Sequence, residues 1–501
     1  MPTTDLVHDI EVLVRARYGL IVLPTSDEAR ADALLAHVAD AAGLPFFTWT
    51  RSQGLRRADK DGPVFQTEEP AKALTHIASG EFPAVYHFKG LDRHLADDAL
   101  ARRLEDAAVP FTERRGALVL TGDDVELPPF LQARAATAEL PPPRLEEYRH
   151  LLAHIVRDMR TRAQVDVQLS PRDLRRLLVN LQGLTLLEAE KTLTKAIIED
   201  GRLSADDIAR VIEAKREIVE RDGLLEYYPV EEGLAEVADM ARLKEWLVQR
   251  RAIIAEPDKA AEHGLPFPKG VLLLGVPGCG KSLCAKAVST EWRLPLLKLD
   301  PSNLYNKYIG ESERNFTRAI RTAERMAPVI LWIDELEKAF SAAGTGGGAS
   351  GDDGVSQRIF GTFLSWLQDR RGDVFVVATA NDVSRLAPEF LRKGRFDEIF
   401  FVDLPDAPTR REIFEIHLRS RNRDAGAFDL DALAAGTDGF SGAEIEQIIV
   451  SGLYDTFADD RDLTTAALLR ETERTRPLSR TMAEKVAALR RWAETRTVRA
   501  N

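Results

Sequence analysis

The chain has 501 residues, of which 44% are hydrophobic and 30% are charged, as expected for a globular protein with about two to four domains. The formal net charge of −12 argues against a nucleic-acid partner held by bulk electrostatics, and no apolar run approaches the ~20 residues of a membrane span. The two cysteines cannot form a disulfide framework and no signal peptide is visible, so we expect a cytoplasmic protein without a membrane partner.

The first half, residues 1–222, has the pattern of an α/β domain but no nucleotide-binding motif. An apolar strand at Leu20–Pro24 leads into a turn without glycine or lysine. A second strand near Ala84–Phe88 continues into Lys89 and Gly90 instead of acidic residues. We predict three segments here: an α/β body over 1–160, a helical lid over 161–222 and a linker over 223–230.

A glycine-rich loop between an apolar strand and a helical pattern is the strongest chemical signal of the second half. Residues 275–282 read G-x-x-x-x-G-K-S after the strand Val271–Leu274. In such a loop backbone N–H groups bind phosphate, the Lys281 ammonium reaches the β- and γ-phosphates, and the Ser282 hydroxyl holds Mg²⁺. We predict an ATP and Mg²⁺ site with the nucleotide-binding residues Gly275, Val276, Pro277, Gly278, Cys279, Gly280, Lys281, Ser282 and Leu283.

Two more strands end in polar residues. An apolar strand over 329–333 is followed by Asp334 and Glu335, and a strand over 373–380 is followed by Asn381. Carboxyl ends of parallel strands meet at one sheet edge, so these residues should lie beside the phosphate loop. We predict that Asp334 completes the Mg²⁺ shell, that Glu335 orients and polarises the attacking water, and that Asn381 contacts the γ-phosphate or that water.

Arg392 and Arg395 flank Gly394 a short distance after Asn381. Taken as an isolated pair, these two arginines are better interpreted as solvated surface charge. The motifs taken together, however, resemble the AAA+ ATPases, in particular the original AAA clade, over about 231–455. The resemblance implies an active α/β body over 231–405, a helical lid over 406–460 and a helical tail over 461–501.

The same resemblance implies a homo-oligomeric ring, usually a hexamer, with the nucleotide between subunits. By that similarity Arg392 and Arg395 are arginine fingers that act on the ATP of the neighbouring subunit. Gly442 and Ala443 stand where the lid closes over the nucleotide. Val276 and Cys279 depart from the usual proline and threonine. A thiol at a helix N-terminus near a lysine is expected to have a lowered pKa, which raises the question whether Cys279 is redox-sensitive.

One loop carries information about the substrate. Its residues Lys307, Tyr308, Ile309 and Gly310 match the first pore loop of protein-threading AAA proteins, in which an aromatic side chain grips a polypeptide. The alternative is that Tyr308 simply packs within the loop. The glycine-rich segment 344–354 stands where the family has a second pore loop, and we interpret it as a mobile loop facing the channel.

Short sequence segments of the first half resemble segments of the second half and occur in the same order. This order indicates a second AAA-like copy that has lost the ATP chemistry. The alternative is that α/β domains share strand–proline–helix phrases. We predict an α/β fold with tandem P-loop-type parallel sheets, each followed by a small helical lid, and a degenerate first copy. The whole chain resembles the Ycf-type AAA proteins of cyanobacteria and chloroplast genomes, notably over 391–401 and 476–485.

The leading functional hypothesis is an Mg-ATP-dependent ATPase that remodels or threads an unidentified protein client from an oligomeric ring. The alternative is a nucleotide-gated assembly or regulatory scaffold, in which the first half binds a partner and nothing is threaded. The aromatic Tyr308 favours threading, whereas the inactive first half leaves room for the scaffold.

Overall fold

In the computed structural model the chain forms two compact units, Met1–Val211 and Ile212–Asn501. No helix among the described residues is both long and apolar enough to cross a membrane. The described residues are 4–25, 27–80, 83–122, 125–162, 165–221, 223–229, 238, 240–300, 311–340, 353–370, 372–458 and 461–501.

The first unit contains a six-stranded sheet in the order β3-β2-β4-β5-β1-β6. All neighbouring strands are parallel except β2 and β3. The strands are β1 (Leu20–Pro24), β2 (Phe46–Thr50), β3 (Gly54–Arg57), β4 (Val85–Lys89), β5 (Ala117–Gly122) and β6 (Ala135–Thr137). The central strands are apolar on both faces, as a sheet with helices on both sides requires.

Helices cover the two faces of this sheet. One face packs against α1 and α2 and the other against α3 and α4, so that each face has its own apolar cluster. The helices are α1 (Thr4–Arg15), α2 (Glu28–Ala42), α3 (Pro70–Ser79), α4 (Asp98–Ala108) and α5 (Pro129–Gln132).

A helical lid follows, and its start differs from the prediction. Its elements are α6 (Leu145–Arg162), β7 (Asp166–Val167), α7 (Pro171–Leu181), α8 (Leu186–Asp200), β8 (Arg202–Leu203) and α9 (Asp207–Glu220). The predicted boundary at residue 160 falls inside α6, which packs on α7 and α8. The lid begins earlier than predicted, at α6. The prolines at 141–143 cannot continue a strand ladder, so they end the sheet after β6 and separate it from α6.

The second unit contains a seven-stranded sheet in the order β15-β14-β10-β13-β12-β11-β9. Its strands are β9 (Leu225–Tyr228), β10 (Gly270–Gly275), β11 (Leu296–Leu299), β12 (Val329–Ile333), β13 (Val374–Ala380), β14 (Glu398–Val402) and β15 (Val498–Arg499). The series β11-β12-β13-β10-β14 repeats the first-unit series β2-β4-β5-β1-β6, and all of its pairs are parallel. This repetition confirms the predicted tandem fold.

Helices also cover both faces of the second sheet, and a helical lid follows it. The helices are α10 (Ala241–Ala255), α11 (Pro257–Glu262), α12 (Lys281–Trp292), α13 (Glu311–Arg325), α14 (Leu336–Phe340), α15 (Asp353–Asp369), α16 (Ala407–Arg419), α17 (Leu430–Gly436), α18 (Gly442–Ala458), α19 (Thr465–Arg474), α20 (Leu478–Thr481) and α21 (Ala483–Ala493). The predicted lid end at residue 460 is too early, because Leu463 and Leu468 of the α19 region are buried in the lid core.

The predicted linker over 223–230 is also corrected. Residues 225–228 form β9, which pairs antiparallel with β11 at the edge of the second sheet. The apolar side chains of Val219, Leu224 and Tyr227 are buried in the second core, and their burial attaches this segment to the second unit. The predicted helical tail likewise ends in a strand, since β15 pairs with β14 at the opposite edge.

Candidate functional site

The phosphate loop joins β10 to α12 and ends in a helix N-terminus that no side chain caps. The capping residue is Gly280, whose φ is 83°. The first N–H groups of α12 are therefore available to an anion at the positive end of the helix dipole. Gly278 has a φ of 78°, and an added Cβ would lie 2.9 Å from Ser441 Oγ and 3.1 Å from the Ala443 Cβ. The close approach of the lid thus requires a glycine at this position.

The side chain of Lys281 lies inside the loop and is only 5% exposed. Its Nζ donates to the carbonyl oxygens of Gly275 at 3.0 Å and Val276 at 2.7 Å. Burial lowers the pKa of Lys281 to about 8, against the opposing attraction of nearby groups that include Glu337, Asp334 and Glu335. This ammonium is poorly solvated, so a phosphate group would be a strong partner for it.

Asp334 follows β12 and faces the first turn of α12. The hydroxyl of Ser282 donates to Asp334 at 3.2 and 3.3 Å from its two carboxylate oxygens. The hydroxyl of Thr379 on β13 donates to the same carboxylate. Sequence reasoning missed Thr379, although a polar residue near the end of an otherwise apolar strand is a usable signal. A hydroxyl and a carboxylate oxygen lie side by side here, and both are oxygen ligands that suit Mg²⁺.

Glu335 has an unusual backbone, with a φ of 51°, which costs a non-glycine residue about 1–3 kcal/mol and is typical of functional sites. Its N–H donates to Thr379 Oγ1 at 3.0 Å. Its carboxylate forms an ion pair with the exposed Lys338 at 2.6 Å and accepts from Asn381 Nδ2 at 3.4 Å. The structure therefore brings Glu335 and Asn381 together, as the strand ends predicted.

Glu337 is a second polar residue that sequence reasoning missed. It is 4% exposed, and its Oε1 accepts the N–H of Asn381 at 2.9 Å. Burial raises the pKa of Glu337. Its position two residues after Glu335, on the first turn of α14, was a signal for an inward-facing carboxyl. Glu337 fixes the backbone of Asn381 beside the acidic pair.

Lys281, Ser282, Asp334, Glu335, Thr379 and Asn381 line a cavity of about 450 Å³, to which helices α16 and α18 of the lid also contribute. The Ala443 N–H donates to the carbonyl of Gly278 at 3.0 Å, which joins the lid to the phosphate loop. The lining also includes residues that sequence reasoning missed, because they come from separate elements: Met240, Val402, Ile413, Ile416, His417 and Glu446. Burial lowers the pKa of His417, and Glu446 lies 3.8 Å from its Nδ1.

Comparison with known proteins identifies this arrangement. The chain is 33% identical over 499 residues to an uncharacterized AAA domain-containing protein ycf46 from Guillardia theta, which covers 99% of this chain and 96% of that protein. A ycf46 protein from Trieres chinensis is 34% identical, over 98% of this chain and 97% of its own length. The chain belongs to the ycf46-type AAA ATPases. It is accordingly an ATP hydrolase.

Different family models match the two units, and a further relative matches part of the chain. The pattern of the ATPase family associated with various cellular activities matches residues 271–404. The SpoVK-like AAA ATPase N-terminal domain matches residues 6–140, and the second domain of that family matches residues 146–222. A proteasome-activating nucleotidase from Archaeoglobus fulgidus is 42% identical over 197 residues, which are 39% of this chain and 49% of that protein.

Most predicted site residues line the cavity, and the exceptions are informative. Gly275 and Val276 do not line the cavity, and their carbonyl groups accept hydrogen bonds from Lys281 Nζ. Arg392 is exposed and Arg395 is half-buried, with its guanidinium bonded to the carbonyl of Glu389. Neither arginine lines the cavity of its own chain in the part that the structure describes.

Two other expectations have different outcomes. The predicted pore-loop residues Lys307, Tyr308, Ile309 and Gly310, and the predicted second pore loop up to residue 352, lie outside the described residues. The expected lowering of the Cys279 pKa is wrong, because burial raises the pKa of this thiol to about 12 despite the nearby Lys281. Cys279 is therefore a poor nucleophile, which argues against redox sensitivity.

Proposed function

We propose that this AAA ATPase hydrolyses Mg-ATP in the cavity between phosphate loop and lid and uses the reaction to remodel or thread a protein client from a homo-oligomeric ring, a hexamer. The observation that carries the catalytic part is the convergence of Lys281, Ser282, Asp334, Glu335 and Asn381 on one cavity beside an uncapped helix N-terminus.

Each side chain has a defined task in this proposal. Lys281 and the uncapped N–H groups of α12 bind the phosphates. Ser282 and Asp334 hold Mg²⁺, which neutralises charge on the β- and γ-phosphates when it is bound. Glu335 accepts a proton from water as the water oxygen bonds to the γ-phosphorus and the bond to the β–γ bridging oxygen breaks, which yields ADP and phosphate. Asn381 orients that water.

The donor set suits magnesium that arrives with the nucleotide. Among the residues that the structure describes, no group of three or more His, Cys, Asp and Glu side chains could hold a metal ion. Mg²⁺ commonly binds through one or two protein oxygens plus phosphates and water. Ser282 and Asp334 fit that mode, so we expect metal binding to depend on the nucleotide.

A substitution of Glu335 tests the catalytic assignment. Glu335→Gln removes the base and keeps the shape of the side chain, so ATP should still bind while hydrolysis falls about 10²–10⁴-fold. Binding is measured by titration with a fluorescent ATP analogue and turnover by phosphate release. Lys338→Met is the control, since it removes only the exposed partner of Glu335. Near-wild-type turnover of Glu335→Gln would show that another group activates the water.

The ring is tested through the arginines. Because Arg392 and Arg395 lie away from their own cavity, we propose that they act on the nucleotide of a neighbouring subunit. Subunits with Lys281→Ala and subunits with both Arg392→Ala and Arg395→Ala should each be inactive. Mixing them should restore part of the ATPase activity at interfaces that pair an intact site with intact arginines. No recovery in mixed oligomers of confirmed composition would reject action between subunits.

Two observations support the proposal that the client is a protein. One is the similarity of the ATPase unit to nucleotidases named for activating the proteasome, which act on a protein assembly. The other is the aromatic Tyr308 in the predicted pore loop. We place the activity in the cytoplasm, where the free thiols of Cys279 and Cys284 remain reduced.

Tyr308→Ala distinguishes threading from the scaffold alternative. A threading enzyme should keep its basal ATPase rate and lose stimulation by an unfolded protein such as casein, because the gripping ring is gone. Tyr305→Ala, three residues away, is the matched control.

The scaffold alternative is favoured by the absence of ATP chemistry in the first unit and predicts the opposite result. Deletion of residues 1–211, which ends at the unit boundary, should then abolish partner-dependent activity while Tyr308→Ala has no effect. That pattern would reject threading.

A further inference from the structure

The last residues of the chain lie at the nucleotide cavity, a position that no motif predicts. Asn501 lines the cavity together with Met240 and Asp403. The strand β15 ends two residues before it, at Arg499, and pairs with β14, the strand that leads into Asp403. Two sets of contacts hold this segment, Val498–Asn501, in place, and a third contact, from Arg490, fixes Asp403 beside it.

The first set of contacts is with the sheet. Within the β15–β14 pairing Phe400 lies opposite Val498 and Phe401 opposite Arg499. Ala500 extends this pairing, because its N–H donates to the carbonyl of Phe401 at 2.9 Å. The side chain of Ala500 is fully buried. The segment is therefore an integral edge of the sheet rather than a loose end.

The second set of contacts caps the helix that begins at the cavity. Helix α10 starts after Met240, which has a φ of 61° and provides no side-chain cap. The carbonyl of Ala500 accepts the N–H groups of Arg242 at 3.0 Å and Leu243 at 3.2 Å. These are the donors that a side-chain cap would otherwise satisfy. The segment thereby fixes Met240, whose Cε lies 3.5 Å from the position of a Cβ on Gly280.

A further contact, outside the segment itself, fixes the Asp403 wall of the cavity. The Nε of Arg490 on α21 donates to both carboxylate oxygens of Asp403 at 2.9 Å, and its Nη2 lies 2.8 Å from Oδ1. Asp403 lines the cavity and Arg490 does not. Arg490 and Arg499 also line a small neighbouring pocket that Asp403 shares, so α21 and β15 both border this wall.

We propose that residues 498–501 are a positioning element of the nucleotide site in their own chain. They hold the start of α10 and, with Arg490, the Asp403 wall, and the Asn501 amide contacts the bound nucleoside di- or triphosphate. The element slows the release of bound nucleotide. It does not take part in hydrolysis, because it does not include Glu335 or Asn381, the residues that we propose act on water. The inference rests on the proposed nucleotide site.

Release of a fluorescent ADP analogue from the full-length chain tests the element. Displacement by excess ADP in a stopped-flow instrument gives the release rate. Deletion of 498–501 should raise this rate about tenfold or more, and Arg490→Met and Asn501→Ala should each raise it about three- to tenfold, as expected for the loss of one or a few hydrogen bonds. Arg491→Met is the matched control, because Arg491 is an exposed neighbour that lines neither cavity.

Steady-state kinetics separates positioning from general damage. The KM for ATP should rise in Arg490→Met while kcat stays near the wild-type value, because the groups that act on water are untouched. Wild-type release rates in both Arg490→Met and Asn501→Ala would overturn the inference even if the deletion variant fails to fold. A wild-type chain that binds no nucleotide would instead reject the proposed site itself, so the two failures are distinguishable.

Discussion

Helices α2 and α12 occupy equivalent places, after the central strands β1 and β10, but their first turns are satisfied differently. In α2 the carboxylate of Asp27 accepts the N–H groups of Arg30 at 3.3 Å and Leu186 at 3.4 Å. In α12 the capping residue is Gly280, which offers no side chain. The first unit thus fills its helix N-terminus with its own anion, where the second unit leaves that position to phosphate.

The adjacent strand ends differ in charge. After β12 the second unit has Asp334, which accepts from Ser282 of α12. At the end of β4 the first unit has Lys89, which forms an ion pair with Asp32 of α2. Asp32 also bonds to the fully buried His87 at 2.7 Å. Burial alone would raise the pKa of Asp32, but the hydrogen bonds from His87 and Lys89 outweigh it and lower the pKa. An internal ion pair thus occupies the edge at which we propose that the second unit binds Mg²⁺.

The contact between body and lid also differs between the two units. In the first unit Arg30 of α2 reaches Glu147 of α6 with two hydrogen bonds of 3.1 Å and also donates to the carbonyl of Pro141. In the second unit a cavity lies between loop and lid, joined by the bond from Ala443 to Gly278. In the first copy, side chains therefore form the bridge between body and lid that we propose a bound nucleotide forms in the second copy.

The largest effect should come from removing the Lys281 ammonium, which we propose binds the phosphates from within the loop. Lys281→Ala should abolish nucleotide binding in the whole chain, because the sequence after β1 in the first unit has neither the glycines nor the lysine of a phosphate loop. Titration with a fluorescent ATP analogue should give one site per wild-type chain and none for the variant. Lys286→Ala, an exposed lysine one turn further along α12, is the control. Residual Mg²⁺-dependent binding at micromolar concentrations in Lys281→Ala would place a second site in the first unit and break the comparison.

A smaller effect is expected from the bridge of the first unit. The side chains of Arg30 and Glu147 are 6% and 12% exposed. Arg30→Met leaves a carboxylate buried without its partner, which should destabilise the first unit by about 3–5 kcal/mol. Hydrogen exchange of the amides of β1, β4 and β5 measures this change within the full chain.

The matched control for the Arg30–Glu147 bridge is an exposed ion pair on α6, the helix that carries Glu147. Arg149 and Glu146 are 58% and 68% exposed, so Arg149→Met should cost about 0–1 kcal/mol. Adding Glu147→Met to Arg30→Met should recover part of the loss, because the unpaired charge is then removed. Equal, small effects of Arg30→Met and Arg149→Met would mean that the bridge does not hold the lid.

The features that the sequence predicted well are local. The phosphate loop is one contiguous motif, and β10, β12 and β13 are apolar runs, with Thr379 near the end of β13, whose burial on both sheet faces leaves little choice of structure. Asp334, Glu335 and Asn381 could be placed because the ends of parallel strands share an edge. For the same reason the loss of chemistry in the first unit was visible as Lys89 and Gly90.

The features that escaped prediction depend on distant partners. β15 is two residues long and exists only because β14 offers it an edge. β9 looked like a linker, since four residues after a glycine give no periodicity, and only its pairing with β11 makes it a strand. Met240 and Ile413 are unremarkable apolar residues in the sequence. They become wall residues through the packing of α10 and α16 around the loop, which no local pattern encodes.

The smallest predicted effect concerns the boundary between the units, which falls inside α9. Lys215 of this helix is 2% exposed, with its Nζ 5.5 Å from the ring centre of Tyr227 on β9. Burial, and then the like charge of Arg325 on α13, lower the pKa of Lys215 to about 7. The free-energy cost of a buried ammonium is therefore fully present below pH 7. It is relieved as the pH rises from about 7 towards the unfolded-state value of about 10.5.

Lys215→Met removes this cost and should stabilise the second unit at pH 6. The advantage over the wild type should shrink by up to about 1.4 kcal/mol for each pH unit above 7, because the wild-type lysine then folds uncharged. Urea unfolding followed by tryptophan fluorescence measures it, since five of the six tryptophans (all but Trp49) belong to the second unit. Lys286→Met, which removes an exposed lysine over Tyr228, is the control. A stability difference independent of pH would mean that Lys215 is not confined in the second core, and the unit boundary would have to move beyond it.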